Sequence, residues 1–360
     1  MNLLLHNWRC FEQHEFTLPK TGFAITDQNG MGKTSILSGI YSLYTTLAWS
    51  DQNLKNCIKH HQNYFGLKNQ EISFSGQIEL SGRLKTKSEI LVEELRKPLI
   101  LSYSPNDNLL LSLTRTKKLN FIDQILSQIL PNYLTNLKVL NKLLTHKQAM
   151  IRDILEENQI LDQTLLHTIN QSIWNFSWYF WEERGKFLNY LSKRLPEAEK
   201  WLNLQFFDLT LNYYTTIENL NRSKVNFDNL ALQILEQKNQ DSKSVLNQIW
   251  AKELACGRCL WGSNRDDFEI FLGGEPVVEI LSRGQMRLLI LWLKYLGLQY
   301  AKSELKLSLP VWWLLDDAFN ELDSTREQIL IQELLSNVDW FVITSTEKSK
   351  ICKSYSLSQL

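Results

Sequence analysis

Residues 24–35 read Ala24-Ile25-Thr26-Asp27-Gln28-Asn29-Gly30-Met31-Gly32-Lys33-Thr34-Ser35, a short apolar run that breaks into a glycine-bearing turn. An apolar helical stretch follows, Ile36-Leu37-Ser38-Gly39-Ile40-Tyr41. Strand, tight turn and helix in that order build a cradle for a triphosphate, which needs inward-pointing backbone N–H groups, a helix N-terminus and one cation. Gly30 and Gly32 let the backbone approach the phosphates, Lys33 supplies the charge, and the Thr34 hydroxyl is placed to ligate Mg²⁺. Residues Asp27 to Ser35 are therefore read as a phosphate-binding loop (P-loop). The usual G-x-x-x-x-G-K-[ST] spacing wants glycine where Asp27 stands. Aspartate tolerates left-handed turn geometry, so the turn is expected to survive with its carboxylate pointing away from the phosphates.

A second chemical element lies far along the chain. Val311-Trp312-Trp313-Leu314-Leu315-Asp316-Asp317 is an apolar run ending in two carboxylates. Such a run suits a parallel strand buried on both faces, and ligands gather at the carboxyl ends of parallel strands. Beside a P-loop, one of Asp316 and Asp317 is expected to hold the hydrated Mg²⁺ and the other to orient or activate the attacking water. About 280 of the 360 residues separate Lys33 from Asp316, so a domain must be inserted between two halves of one site.

The bulk numbers agree with an α/β enzyme-like body. The chain has 360 residues, room for two domains, and 44% of them are hydrophobic. Lys+Arg and Asp+Glu each number 39, so no global basic field announces a nucleic-acid partner and any such contact must be local. Five scattered cysteines fit a reducing interior. No signal-peptide pattern opens the chain, and the most apolar stretch, Leu288 to Leu298, is interrupted by Lys294. A cytoplasmic protein with no membrane partner is expected.

Mixed strand and helix signals fill the first hundred residues or so, with Phe23–Thr26, Glu71–Leu80 and Leu99–Leu101 as strands. Helical periodicity dominates 119–250, where Trp174, Trp178 and Trp181 share one helix face and read as interhelical core. Strand signals return at Phe268–Leu272 before a Gly273-Gly274 turn, then a long helix from Gly284 and a strand over Trp340–Ile343.

Leu281-Ser282-Arg283-Gly284-Gln285 before that helix resembles the ABC-type signature, Glu321-Leu322-Asp323 the D-loop, and Thr344-Ser345-Thr346 falls where the switch segment stands. The whole chain resembles the RecF family of DNA replication and repair proteins. The likeness runs through Leu5-His6-Asn7-Trp8-Arg9-Cys10-Phe11, Ser104-Pro105-Asn106-Asp107, Phe121-Ile122-Asp123 and Pro131-Asn132-Tyr133-Leu134. It continues at Gly262-Ser263-Asn264-Arg265-Asp266-Asp267 and from Leu314 to Asp323.

The resemblance implies an ABC-type P-loop ATPase head from residues 1–117 and 252–360, with a helical insertion domain over 118–251. It implies ATP as cofactor beside Mg²⁺, Arg9 near the nucleotide, and weak hydrolysis. ATP would join two protomers, with Ser282, Gly284 and Gln285 of one reaching the P-loop of the other. The dimer would clamp single- and double-stranded DNA at gaps or junctions and serve recombination mediator proteins and a recombinase. The alternatives are a P-loop metabolic ATPase or kinase without DNA, and a non-hydrolysing clamp motivated by Asp27. Asp27, Arg283, Ser263-Asn264 and Lys118-Leu119-Asn120 depart from the family pattern.

Lys138, Lys142 and His146 follow an i, i+4 rhythm with Lys147 nearby. With Arg115, Lys117 and Lys118 they are a candidate phosphate stripe; a solvated helix face is the alternative. Cys256-Gly257-Arg258-Cys259 is a lone C-x-x-C without a second pair, a poor zinc signal read instead as a turn entering a strand. Gln70 and Gln77 are candidates for a Mg²⁺-sensing glutamine.

Overall fold

The computed structural model describes residues 1–49, 53–93, 95–112, 114–157, 162–202, 208–216, 222–227, 242–318, 333–346 and 352–360, without the side chains of 157, 200, 201 and 242–248. The chain forms two compact units, one from residues 1–109 and 282–360, the other from 110–281. Strands are numbered along the chain.

In the first unit, an antiparallel sheet joins β1 (Asn2–Trp8), β2 (Phe11–Thr17), β4 (Tyr64–Lys68), β5 (Ile72–Ile78) and β6 (Leu84–Ile90) in the order β2-β1-β4-β5-β6. A parallel sheet joins β3 (Phe23–Thr26), β7 (Leu99–Tyr103), β12 (Val311–Leu315), β13 (Trp340–Ser345) and β14 (Ser354–Tyr355) in the order β14-β3-β13-β12-β7. Helix α1 (Lys33–Thr45) shares one core with both sheets: Ile36, Leu37 and Ile40 join Leu3, Leu5 and Trp8 of β1 and Ile25, Leu314 and Val342 of the parallel sheet. Trp8 Nε1 donates to the Ser35 carbonyl at 3.1 Å and to Ser38 Oγ at 3.0 Å, tying β1 to the first turns of α1. The strands expected at Phe23–Thr26 and Val311–Leu315 occur with those bounds, as apolar runs stopped by turn residues should.

The second unit holds α2 (Arg115–Ile129), α3 (Tyr133–Glu157) and α4 (Gln163–Arg194), followed by the helix Ser242–Cys256. It is not purely helical. A small sheet joins β8 (Leu209–Thr215), β9 (Ser223–Lys224), β10 (Asp267–Leu272) and β11 (Glu275–Pro276) in the order β11-β10-β8-β9. Here the domain boundaries depart from the expected 118 and 251. Asp267 to Leu272 pair residue by residue with Tyr214 to Leu209, so the stretch after 251 closes the insertion rather than rejoining the head. Trp174, Trp178 and Trp181 are buried on one face of α4 and meet edge to face, with ring centroids 5.2 and 4.9 Å apart, and Trp174 also meets Trp261 at 5.8 Å. Among the described residues no helix is long and apolar enough to cross a membrane.

Candidate nucleotide-binding site

The parallel sheet decides where the chemistry collects. β3 runs into the P-loop, β12 into Asp316-Asp317, and β13, lying between them, into Thr344 and Ser345. Three strand ends therefore meet at one edge, the place where ligands sit in open α/β sheets.

Gly32 caps α1 at φ +103° without a side-chain cap, and the Ser35 N–H donates to the Gly32 carbonyl at 2.9 Å. A Cβ at Gly32 would lie 2.8 Å from both Cys10 Sγ and the Phe11 ring, so only glycine fits there. Lys33 is buried, and its ammonium donates to the backbone carbonyls of Asp27 and Gln28, which holds the charge at the centre of the loop. Asp27 is not among the residues of positive φ, so it needs no left-handed geometry. Its carboxylate accepts from the Gln28 N–H at 2.9 Å and the Leu357 N–H at 3.3 Å, hydrogen bonds that engage it away from the Lys33 ammonium.

Thr34 Oγ1 lies 2.9 Å from each carboxylate oxygen of Asp316, across 282 residues of sequence. Thr344 Oγ1 donates to Asp316 at 2.6 Å and itself accepts from the Asp317 N–H at 2.9 Å. Burial pushes the Asp316 carboxyl above its usual range; hydrogen bonds from Thr344 and Thr34 oppose this, and the neighbouring Asp317 charge reinforces it. A hydroxyl and a carboxylate at this separation form the donor set of a hard divalent cation, which makes Mg²⁺ chemically suited to the pair. Asp317 adopts φ +47°, and its Oδ1 is buried without a hydrogen-bond partner among the described residues.

A cleft of about 930 Å³ opens over these groups, lined among others by Arg9, Asn29, Gly30, Lys33, Thr34 and Asp317. Lys55, Lys59, His60, His61 and Gln62 also line it. The backbone pins them there: the Arg9 N–H donates to the Cys57 carbonyl at 2.7 Å and the Lys59 N–H to the Asn7 carbonyl at 2.9 Å. The sequence signal was the local cation run Lys55 to His61, which the balanced total charge concealed. Gln62 lines the cleft, whereas Gln70 and Gln77 do not. Ser282, Gly284 and Gln285 also stand outside the cleft. Ser282 is exposed and caps the helix Arg283–Ser303 through a reciprocal capping box with Gln285.

No family model matches the chain. The DNA replication and repair protein RecF of Acholeplasma laidlawii (strain PG-8A) is 25% identical over 347 residues, covering 95% of this chain and 92% of the relative. The protein of that name from Bacillus mycoides (strain KBAB4) is 24% identical over 355 residues, covering 95% and 90%. A solved structure described as "Structure of the recombination mediator protein RecF-ATP in RecFOR pathway" superposes with a TM-score of 0.79 over 99% of this chain and 94% of that one, at 21% identity. The chain is similar over nearly its whole length to proteins named RecF. Its fold is the α/β RecF fold with mixed parallel and antiparallel sheets.

Several RecF-type motifs turn out to be structural in this chain. Arg184 bridges Asp123 and Asp266 within the second unit, and Asp267 pairs with Lys118 at 2.6 Å. Lys118 is thereby removed from the candidate phosphate stripe. Lys147 leaves it too: it is 1% exposed and paired at 2.6 Å with the fully buried Glu253. The reason is helical geometry. Nine residues at about 100° each put Lys147 half a turn round α3 from Lys138. Lys138, Lys142 and His146 are exposed on α3. The D-loop candidate Glu321-Leu322-Asp323 lies outside the described residues.

Proposed function

We propose that this chain is an ATP-dependent DNA-binding protein of replication and recombinational repair, a weak ATPase whose dimer forms on ATP. The observation that carries the reading is the Thr34–Asp316 contact at 2.9 Å beside the Lys33 cradle, a phosphate site and a cation site joined across the chain. The curated relatives named for DNA replication and repair supply the biological setting.

Lys33 and the first-turn N–H groups of α1 would hold the phosphates, and Thr34 with Asp316 the metal shell. Bound ATP and Mg²⁺ would supply the phosphoryl group and the charge that neutralises it in transfer. Asp317, with an unpartnered buried oxygen at the rim, orients water and accepts its proton. Ser282, Gly284 and Gln285 lie outside their own cleft and are exposed or half-buried, as a contact made to a second protomer requires.

Two variants test this together. Lys33→Ala should lose nucleotide binding, and Ser282→Arg should keep it while losing ATP-induced dimerisation. Each should be inactive alone, and an equimolar mixture should regain part of the turnover from one intact composite site per mixed dimer. ATP binding by Lys33→Ala at the wild-type level, or no rescue in demonstrated mixed dimers, would overturn the reading.

DNA is proposed to contact Lys138 and Lys142, joined in the family setting by mediator proteins and a recombinase as partners. Lys138→Glu with Lys142→Glu should lower the slope of log affinity against log salt by about 2, one per lost phosphate contact. An unchanged slope assigns these lysines to a solvated face.

A further inference from the structure

The second unit has a cleft of its own, about 1030 Å³, between α2, α3 and the segment from Gly257 to Arg265. Four exposed or half-buried arginines line it, Arg115, Arg152, Arg258 and Arg265. Arg152 is answered by Asp153 at 3.2 Å. The other three have no carboxylate paired with them among the described residues. Arg115 Nη1 donates to the Arg265 carbonyl at 3.2 Å, which brings the two residues together. Among the described residues, Arg115 Nε and Arg265 Nε are both buried without a hydrogen-bond partner.

The carboxylates in the cleft do not neutralise this cluster. Asp123 is committed to Arg184 at 2.8 Å and to the Tyr133 hydroxyl at 2.6 Å. Glu156 is exposed, and nearby Glu253 is held by Lys147. Burial lowers the pKa of Arg265, and the like charges of Arg115 and Arg258 lower it further. Buried donors without acceptors and unpaired like charges cost stability unless an anion completes them.

We propose that this cleft is a phosphate-ester site, in which Arg115, Arg258 and Arg265 hold the phosphate group. Guanidinium forks match phosphate oxygens in paired hydrogen bonds, which favours phosphate over a simple halide. Leu137 and Leu144, both half-buried, line the same cleft and give an organic ester group apolar surface to lie on. The proposal does not depend on the nucleotide reading of the first unit.

The test uses the full-length chain carrying Lys33→Ala, so that the P-loop does not compete. Calorimetric titration with trithymidylate bearing a 5′-phosphate, and with inorganic phosphate, should give saturable binding of the oligonucleotide. Arg258→Ala, at an exposed position, and Arg265→Gln should each weaken that binding about tenfold or more, the loss of charge-assisted hydrogen bonds. Competition by inorganic phosphate would support the site and show that the free anion suffices; binding without competition would support it and identify nucleic acid as the source. In phosphate-free buffer Arg265→Gln should raise the melting temperature, because it removes a repelled charge, where a purely structural arginine would lower it. Affinity unchanged from the parent in both arginine variants, or no binding of either probe by the parent, would overturn the proposal.

Discussion

Replacing Arg184 with alanine is expected to destabilise the unit of residues 110–281 by about 3–5 kcal/mol, the usual cost of removing one partner from a buried ionic network. Arg184 is 2% exposed. Its Nε and Nη2 meet the two oxygens of Asp123 at 3.0 and 2.8 Å, and Nη1 meets Asp266 Oδ2 at 2.9 Å. The Tyr213 hydroxyl and Trp181 Nε1 also donate to Asp266, both at 2.8 Å. Without the guanidinium, two carboxylates stay buried with neutral donors only. Even with it, burial pushes the Asp266 carboxyl up to about 7, against the pull of Arg184, Tyr213 and Trp181. A carboxyl raised above its unfolded value binds its proton more tightly when folded, so its contribution to stability falls as pH rises through about 7. The Arg184→Ala defect should accordingly be smaller near pH 5 than near pH 8. Urea unfolding of both proteins at the two pH values checks this, and a loss under about 1 kcal/mol would show that the network is not a keystone.

Asp317→Asn is expected to leave ATP binding intact and to slow hydrolysis by roughly 10²–10⁴-fold, the span that general acid–base groups contribute. The fold should tolerate it. Asn adopts the φ of +47° as readily as Asp, and the backbone N–H that donates to Thr344 is retained. What is lost is a carboxylate oxygen that is buried, with no partner among the described residues, beside Thr34 and Asp316. An amide cannot accept the proton of an attacking water. Single-turnover hydrolysis with bound nucleotide measured separately distinguishes this from a binding defect, and unchanged turnover would move the role to another residue.

Much of the first unit was readable because its signals are local. The P-loop needs a glycine turn before a helix, and β3 and β12 are apolar runs stopped by turn residues, so both bounds and chemistry follow from a dozen neighbouring positions. The insertion was less legible for the opposite reason. β8 and β10 pair across more than fifty residues, and nothing in 252–281 marks it as the partner of Leu209–Thr215 rather than of the head. Register between distant strands depends on the folded core, not on composition.

The same division runs through the side chains. Sequence alone singled out Lys33, Thr34, Asp316 and Asp317 as candidates for phosphate and metal chemistry, from residue type and position at strand ends. It could even have excluded Lys147 from the Lys138 face, because helical rotation is fixed by counting. Only the tertiary structure decided that Lys147 answers Glu253, that Lys118 answers Asp267, and that Arg115, Arg258 and Arg265 have no carboxylate paired with them among the described residues. A charge's partner is whatever the packed chain brings within a few ångströms, and that distance is a property of the fold rather than of the spacing along the chain.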